Sequence, residues 1–181
     1  RQEGRFVEVG GLVFKNFDKN LHVIEPTIPP KTWEWYMSLD SGWNNPTAIL
    51  WHAVSPEGMV ITFDEIYQKE TTVSEFARMI KEREKRWGKQ PFLRTGDPAI
   101  RQTREVTGTS VQQEYASHDI YLSLDGVPTG AGSVDIGIQK MQTYMGNKKM
   151  ADGTVTPAKW FITENCVHTI KELRKLRWAT F

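Results

Sequence analysis

The sequence has a single cysteine, no methionine at its first position and almost no net charge. Cys166 has no second cysteine to pair with, which excludes a disulfide within the chain and fits a reducing compartment. The formal net charge is +1, so any contact with nucleic acid would have to come from local basic patches. No apolar run approaches the length of a membrane span. Because the chain opens on Arg1, we expect it to be an excised piece, and the lack of a signal peptide therefore carries little weight.

Apolar and aromatic residues are plentiful. The 181 residues are 39% hydrophobic and include seven Trp and eight Phe, which is enough for one folded domain. We predict a single domain over residues 1–181, with residues 1–31 forming an N-terminal hairpin and connector. The alternation from Arg5 to Phe14 around Gly10-Gly11 indicates the hairpin or a pair of edge strands, and three prolines between Ile24 and Lys31 indicate the extended connector.

Hydrophobic periodicity predicts a mixed α/β fold. Three strands, Trp35–Asp40, Ala48–Val54 and Met59–Tyr67, follow one another through short turns and should form an antiparallel meander. Apolar residues at helical spacing, with a capping box between Thr72 and Glu75, predict a helix over 72–87. The strand 92–97 then returns parallel to the first strand.

The remaining elements alternate between helix and strand. We predict a helix over 109–117 capped by Thr109 and Gln112, a strand over 121–124, a helix with an apolar face, a strand over 160–162, and a last helix to about Leu176 that Asn165 caps. The apolar face of the middle helix comprises Val134, Ile138, Met141 and Met145, and we expect it to pack in the core. The fold class is therefore a mixed sheet, with an antiparallel three-strand meander plus parallel strands, flanked by helices.

Two aspartates occupy matching positions in this scheme. Asp40 ends the first strand and Asp97 ends the strand after the first helix, each beside glycine and proline. If those strands are parallel neighbours, the two carboxylates meet at one sheet edge and favour a divalent cation with oxygen ligands, Mg²⁺ or Mn²⁺ rather than zinc. Each aspartate alone would more often be a turn residue that caps its own backbone, but the matched pair favours the metal site.

The residues resemble a known family, the C-terminal nuclease domain of the large terminase subunit of tailed bacteriophages, which has a ribonuclease H-like fold. The resemblance rests on short segments in a shared order: Gly11-Leu12-Val13-Phe14, His22-Val23-Ile24, Ser38-Leu39-Asp40-Ser41-Gly42, Asn45-Pro46-Thr47-Ala48, Asp64-Glu65, Thr71-Thr72-Val73, Gly96-Asp97-Pro98-Ala99, Gly137-Ile138 and Glu164-Asn165-Cys166. No single segment is specific, whereas their order and spacing together are.

The resemblance implies a metal-dependent endonuclease that cuts concatemeric double-stranded viral DNA during genome packaging in the host cytoplasm. It implies Asp40 and Asp97 as catalytic metal ligands for two Mg²⁺ or Mn²⁺ ions, which would clamp the scissile phosphate. It also implies a terminase ATPase domain, a portal protein and a small terminase subunit as partners. The family's third acid follows the last helix in a segment that is absent here, so it lies beyond Phe181 or is replaced by Asp135 or Glu164; we favour the first. No G-x-x-x-x-G-K-[ST] motif occurs, so the ATPase motor is absent from this chain.

Basic residues are the candidates for contacts with DNA phosphates. Arg101 and Arg104 follow the Asp97 turn, although exposed loop charges are an equally good interpretation of them. Lys148 and Lys149 lie in a hairpin-like loop and are the stronger candidates. The mixed charges at residues 81–86 indicate a solvated helix face. Glu65 ends the third strand near the same edge as the aspartates, and we expect it to be structural rather than a metal ligand.

Two other function classes stay open. Another ribonuclease H-like nuclease, such as a junction resolvase or a transposase core, would show the same two aspartates. A non-catalytic module that clamps DNA or docks on the motor would depend on the basic loop and not on Asp40.

Overall fold

The computed structural model describes residues 11–103 and 108–178. Within these residues the strands are β1 (Val23–Ile24), β2 (Glu34–Asp40), β3 (Thr47–Val54), β4 (Val60–Gln68), β5 (Leu93–Gly96) and β6 (Trp160–Thr163). The helices are α1 (Lys19–His22), α2 (Val73–Trp87), α3 (Val111–Ala116), α4 (Ser133–Met145) and α5 (Val167–Lys175), with a 3₁₀ helix at Pro98–Arg101. In the described ranges no helix is long and apolar enough to cross a membrane.

The strands form one six-stranded sheet in the order β1-β6-β4-β3-β2-β5. β3 runs antiparallel to both of its neighbours, whereas the pairs β2–β5, β4–β6 and β1–β6 are parallel. The predicted fold class, a meander plus parallel strands flanked by helices, is therefore confirmed. So is the placement of the Asp40 strand beside the Asp97 strand.

One face of the sheet carries the main core. Alternation along β2 buries Trp35, Met37 and Leu39 on this face. α2 packs over them, and its last residue, Trp87, sets its ring edge-on against Trp35 at 5.8 Å between centroids. The helix starts at the predicted capping box of Thr72 with Glu75 and ends at Gly88 in the left-handed conformation.

The opposite face carries a second, smaller core. Val60 packs here while its neighbour Ile61 packs in the main core, as expected for successive residues of a strand. The buried His22 ties the parts of this core together, because its Nε2 lies 2.8 Å from the carbonyl oxygen of Met145. The members of this core come from both ends of the described chain and from α4, β6 and α5: Val13, Phe14, Met145, Trp160, Ile162, Cys166, Ile170 and Leu173.

Several predicted boundaries and caps are wrong. α3 begins one residue later than predicted, since Ser110 and Gln113 form the capping box in place of Thr109 and Gln112. Both pairs have the capping-box spacing. Ser110 and Gln113 form the cap because the helix that they begin buries Val111 and Tyr115. The predicted strand over 121–124 is reduced to one bridge, between Ser123 and Thr95.

The predicted cap of the last helix is also wrong. Asn165 donates its side-chain hydrogen bond to the carbonyl of Phe63, and the helix begins at Val167 after Cys166, which makes no side-chain cap. In α4, Ile138, Met141 and Met145 pack in the second core as predicted, but Val134 is 71% exposed because the first turn lies outside that core.

The two described ends of the chain lie side by side. Leu12 bridges Arg177 in antiparallel fashion, and the Trp178 amide donates to the carbonyl of Gly11 at 3.1 Å. Most of the predicted hairpin at residues 5–14 lies outside the described residues, and the extent of the domain over 1–181 stays a prediction. α1 and β1 occur within the segment predicted to be a hairpin and connector.

Candidate metal centre

Asp40, the last residue of β2, and Asp97, the residue that follows β5, lie at matching positions at the ends of neighbouring strands. The last register pair of β2 and β5 is Leu39 with Gly96, so the aspartates that follow are next in register on strands about 4.8 Å apart. The Asp97 amide also donates to the Leu39 carbonyl at 3.2 Å. Gly96 permits this approach, since a Cβ there would lie 2.8 Å from the Ile100 side chain and 3.2 Å from the Leu39 oxygen.

The two oxygens of the Asp97 carboxylate differ in their contacts. Its Oδ1 accepts a hydrogen bond of 2.7 Å from the Ala99 amide and so caps the 3₁₀ helix that Pro98 opens. The turn-capping interpretation is thus correct for one oxygen. Oδ2 accepts no hydrogen bond from any described residue.

Asp40 has no compensating partner among the described residues. Its carboxylate makes no hydrogen bond or ion pair with any residue in the described part of the chain. Partial burial, and then the negative charge of Asp97, raise the pKa of the Asp40 carboxyl above its usual value. The two carboxylates repel each other at this edge of the sheet, and a cation bound between them would cancel the repulsion.

The carboxylates open into a cleft of about 340 Å³. One wall is the turn Ser41–Trp43, a second is the start of α2 at Thr71–Val73, and a third comes from α3. From α3, Glu114 lines the cleft as a third acidic residue. Glu114 was not predicted from the sequence, because only the position of α3 in the fold brings it here.

The donor set suits a hard divalent cation but does not complete its shell. Carboxylate oxygens are the ligands that Mg²⁺ and Mn²⁺ prefer, with water filling the remaining positions. Within the described ranges, no three His, Cys, Asp or Glu residues come together as a metal-binding group. Asp135, in the exposed first turn of α4, and Glu164, exposed after β6, do not line the cleft.

Glu65 has a structural role, as expected. Its carboxylate accepts hydrogen bonds from the amides of His168 and Thr169 at 2.7 and 2.9 Å, and from the Thr169 hydroxyl at 2.8 Å. These amides belong to the first turn of α5, so a residue of β4 caps that helix.

The basic candidates occupy exposed positions. Arg101 ends the 3₁₀ helix and lies 3.5 Å from Asp125 in an exposed ion pair. Lys148 and Lys149 are on a hairpin closed by a hydrogen bond of 2.8 Å from the Met150 amide to the carbonyl of Thr154. Arg104 lies outside the described residues.

The α2 charges are only partly a solvated face, which corrects the prediction. Glu84 forms two hydrogen bonds to Arg94 of β5, at 3.1 and 2.6 Å, with side chains only 3% and 11% exposed. Arg83 pairs with Asp64 at 3.0 Å and lies over the Trp51 ring. Both contacts join α2 to the sheet.

Other reactive groups are committed to structure. Burial raises the pKa of the Cys166 thiol to about 12, which excludes a ready nucleophile. Burial also lowers the pKa of His52 to about 4. His52 lies between two hydroxyl groups, with Nδ1 2.9 Å from the Thr62 oxygen and Nε2 3.0 Å from the Ser38 oxygen. The Thr62 hydroxyl also accepts a hydrogen bond from the Trp160 indole.

Solved structures of similar fold come from tailed phages. The large terminase nuclease domain of P22 is 18% identical with a TM-score of 0.69, and the match covers 91% of this chain and 78% of that domain. The large terminase of a thermophilic bacteriophage, solved in complex with ATP-γ-S, is 16% identical with a TM-score of 0.67; the match covers 98% of this chain and 43% of that protein. The large terminase nuclease of the thermophilic phage G20c, with bound zinc, is 15% identical with a TM-score of 0.59, and the match covers 92% and 88%.

No family model and no curated protein match the chain. The chain spans about two fifths of the large terminase solved with ATP-γ-S. The resemblance seen in the sequence is confirmed at the level of the fold: this chain has the ribonuclease H-like fold of phage large terminase nuclease domains.

Proposed function

We propose that this chain is a metal-dependent endonuclease that cuts concatemeric double-stranded viral DNA during genome packaging. The observation that carries the proposal is the pairing of Asp40 with Asp97 at the ends of adjacent parallel strands. Ligands bind at this kind of position in open α/β sheets. The phage terminase nuclease domains that share the fold support the choice of reaction.

Asp40 and Asp97 would hold Mg²⁺ or Mn²⁺, with Asp40 the candidate for a ligand shared by two ions. The raised pKa of Asp40 and its lack of a donor among the described residues support this assignment, because both reflect a carboxylate arranged for a cation. Bound there, the ions would supply an activated water and stabilise charge developing on the phosphate. Asp97 would present the oxygen that the Ala99 amide does not occupy.

DNA would be held by basic side chains outside the cleft. We assign Lys148 and Lys149 of the exposed hairpin, with Arg101 and Arg104 after the Asp97 turn, to phosphate contacts. The ion pair of Arg101 with Asp125 is exposed and long, so a phosphate can displace it at little cost. By the same reasoning from the fold, the chain would act in the host cytoplasm with a terminase ATPase domain, a portal protein and a small terminase subunit.

The test is cutting of supercoiled plasmid in Mg²⁺, in Mn²⁺ and in EDTA. Wild type should nick and linearise the plasmid only with metal, and Asp40→Asn and Asp97→Asn should each abolish cutting. Asp119→Asn is the matched control, because Asp119 is exposed and has a positive φ of 59° that asparagine adopts readily. Metal-dependent cutting that survives Asp40→Asn would overturn the proposal.

A non-catalytic DNA clamp is the second candidate, and it is favoured because no three His, Cys, Asp or Glu side chains of the described residues come together as a metal-binding group. In that case binding would survive Asp40→Asn and disappear on neutralising Lys148 and Lys149. A junction resolvase or transposase core would instead prefer branched DNA or specific ends over plain duplex.

A further inference from the structure

Trp43 is an exposed aromatic residue beside the two aspartates. Its side chain lines the same cleft as Asp40 and Asp97 and is 57% exposed. The other large apolar residues of the cleft, such as Phe76 and Ile100, are buried. In the described ranges, the Trp43 ring stacks on no other ring.

The turn that carries Trp43 is fixed. The Thr47 hydroxyl, which is buried, accepts from the Gly42 amide at 3.0 Å and donates to the Gly42 carbonyl at 2.9 Å. A Cβ on Gly42 would lie 2.4 Å from the Asn45 oxygen, so the turn is closed too tightly for any side chain there. The Trp43 carbonyl also accepts from the Glu70 amide at 3.2 Å, which joins this turn to the loop before α2.

An exposed indole on a fixed turn beside the two aspartates is well placed to contact bound DNA. Trp43 follows Asp40 by three positions, so their Cα atoms are at most about 11 Å apart. This distance corresponds to about three nucleotides along one DNA strand. We infer that Trp43 stacks on a base of the bound DNA strand, near the phosphate that a cation bound by Asp40 and Asp97 would hold.

The inference rests on the proposed function and makes it more specific. In an intact duplex both faces of each base are covered by neighbouring bases, so the indole needs a base that has left the stack. A bound duplex would therefore have one base unstacked close to the cut, and a duplex that already has an unpaired base there would bind more tightly. Stacking on an aromatic side chain tolerates any base, so Trp43 would add no sequence preference.

The experiment measures binding by the Asp97→Asn chain in Mg²⁺, which should prevent cutting. The probes are a fluorescent duplex with a short unpaired bubble and the matching intact duplex. Trp43→Leu should weaken binding to the bubbled duplex about 10-fold and to the intact duplex less than about 2-fold, and Trp43→Phe should restore most of the loss. Trp178→Leu, the same change at a 43% exposed residue outside the cleft, should change neither.

Equal losses on both duplexes, or no loss on either, would overturn the inference. A second readout that does not depend on affinity is the fluorescence of 2-aminopurine placed in the bubble. At saturation the Asp97→Asn chain should quench it, and the added change Trp43→Leu should restore it. A Trp43 that served as an anchor for a protein partner would leave both DNA signals unchanged. If the chain binds the bubble through Trp43 but cuts no plasmid, the nuclease proposal fails and this inference stands. If it cuts plasmid but binds the bubble without help from Trp43, the nuclease proposal stands and this inference fails.

Discussion

At the scale of single residues, Asp40 shows how a proposed metal ligand can oppose folding. Its pKa is higher in the folded protein than the usual 3.8. The folded state therefore holds the proton more tightly, a contribution that favours folding below pH 3.8 and is lost as the pH rises through the raised pKa. At neutral pH the charged Asp40 beside Asp97 destabilises the metal-free fold.

Asp40→Asn should therefore stabilise the metal-free protein at pH 7. We expect a rise in melting temperature of roughly 1–3 °C in EDTA and almost no change at about pH 3, where the wild-type carboxyl is protonated. Mn²⁺ should reverse the order, because it raises the melting temperature of wild type by mass action and that of the variant far less. A variant that melts below wild type in EDTA would contradict the like-charge account.

Glu84, unlike Asp40, is a buried carboxylate whose charge is compensated, because Arg94 donates two hydrogen bonds to it. Glu84→Gln leaves the Arg94 guanidinium buried without its counter-charge, and we expect a loss of about 3 kcal/mol in the free energy of unfolding. Urea denaturation followed by circular dichroism would measure it. Glu82→Gln breaks the exposed pair with Arg78 and should change stability by less than about 0.5 kcal/mol. Equal effects of the two changes would show that burial does not set the cost.

This pair also shows a limit of sequence analysis. The charge pattern of residues 81–86 is typical of a solvated face, and most of that face is exposed. Which glutamate turns inward depends on Arg94, ten residues away on an adjacent strand, and no local pattern records that pairing. The placement of Asp40 beside Asp97 was predictable because each shows its own strand-end context in the sequence.

At the scale of elements, α2 and α5 differ in where their caps come from. The α2 cap is local, with Thr72 and Glu75 three residues apart, and the sequence alone predicted it. The α5 amides are capped by Glu65, which is more than one hundred residues away in the chain. The nearby sequence offered only Asn165 as a cap, but its side-chain amide donates instead to the carbonyl of Phe63. The short β1 and α1 were missed for a related reason, because elements this brief have too little periodicity to detect.

Glu65→Gln should loosen the start of α5 in particular. The side chain of the new glutamine keeps one acceptor oxygen but lacks the negative charge that faces the helix N-terminus. We therefore expect the free energy of unfolding to fall by about 1–2 kcal/mol. Hydrogen exchange should speed up at the amides of His168 and Thr169 and change little in α2. Glu164→Gln, an exposed change close to the same helix, is the control. Unchanged exchange at those two amides would exclude the cap.

At the scale of the whole molecule, the net charge near zero means that the proposed DNA binding would depend on local basic groups. Lys148→Ala with Lys149→Ala should reduce the slope of log K against log salt by about 2 for duplex DNA, if each lysine contacts one phosphate. The measurement is fluorescence anisotropy over a salt series with the Asp97→Asn chain. Lys81→Ala with Lys85→Ala removes the same charge from α2 and should leave the slope nearly unchanged. Equal slopes for the two double variants would show that only total charge matters.

The side-by-side ends of the described chain have a mechanical consequence. Because the Trp178 amide donates to the carbonyl of Gly11, tension applied between these two residues would act across this hydrogen bond and the bridge of Leu12 with Arg177. The six-stranded sheet would lie outside the path of the load, so Asp40 and Asp97 would keep their positions.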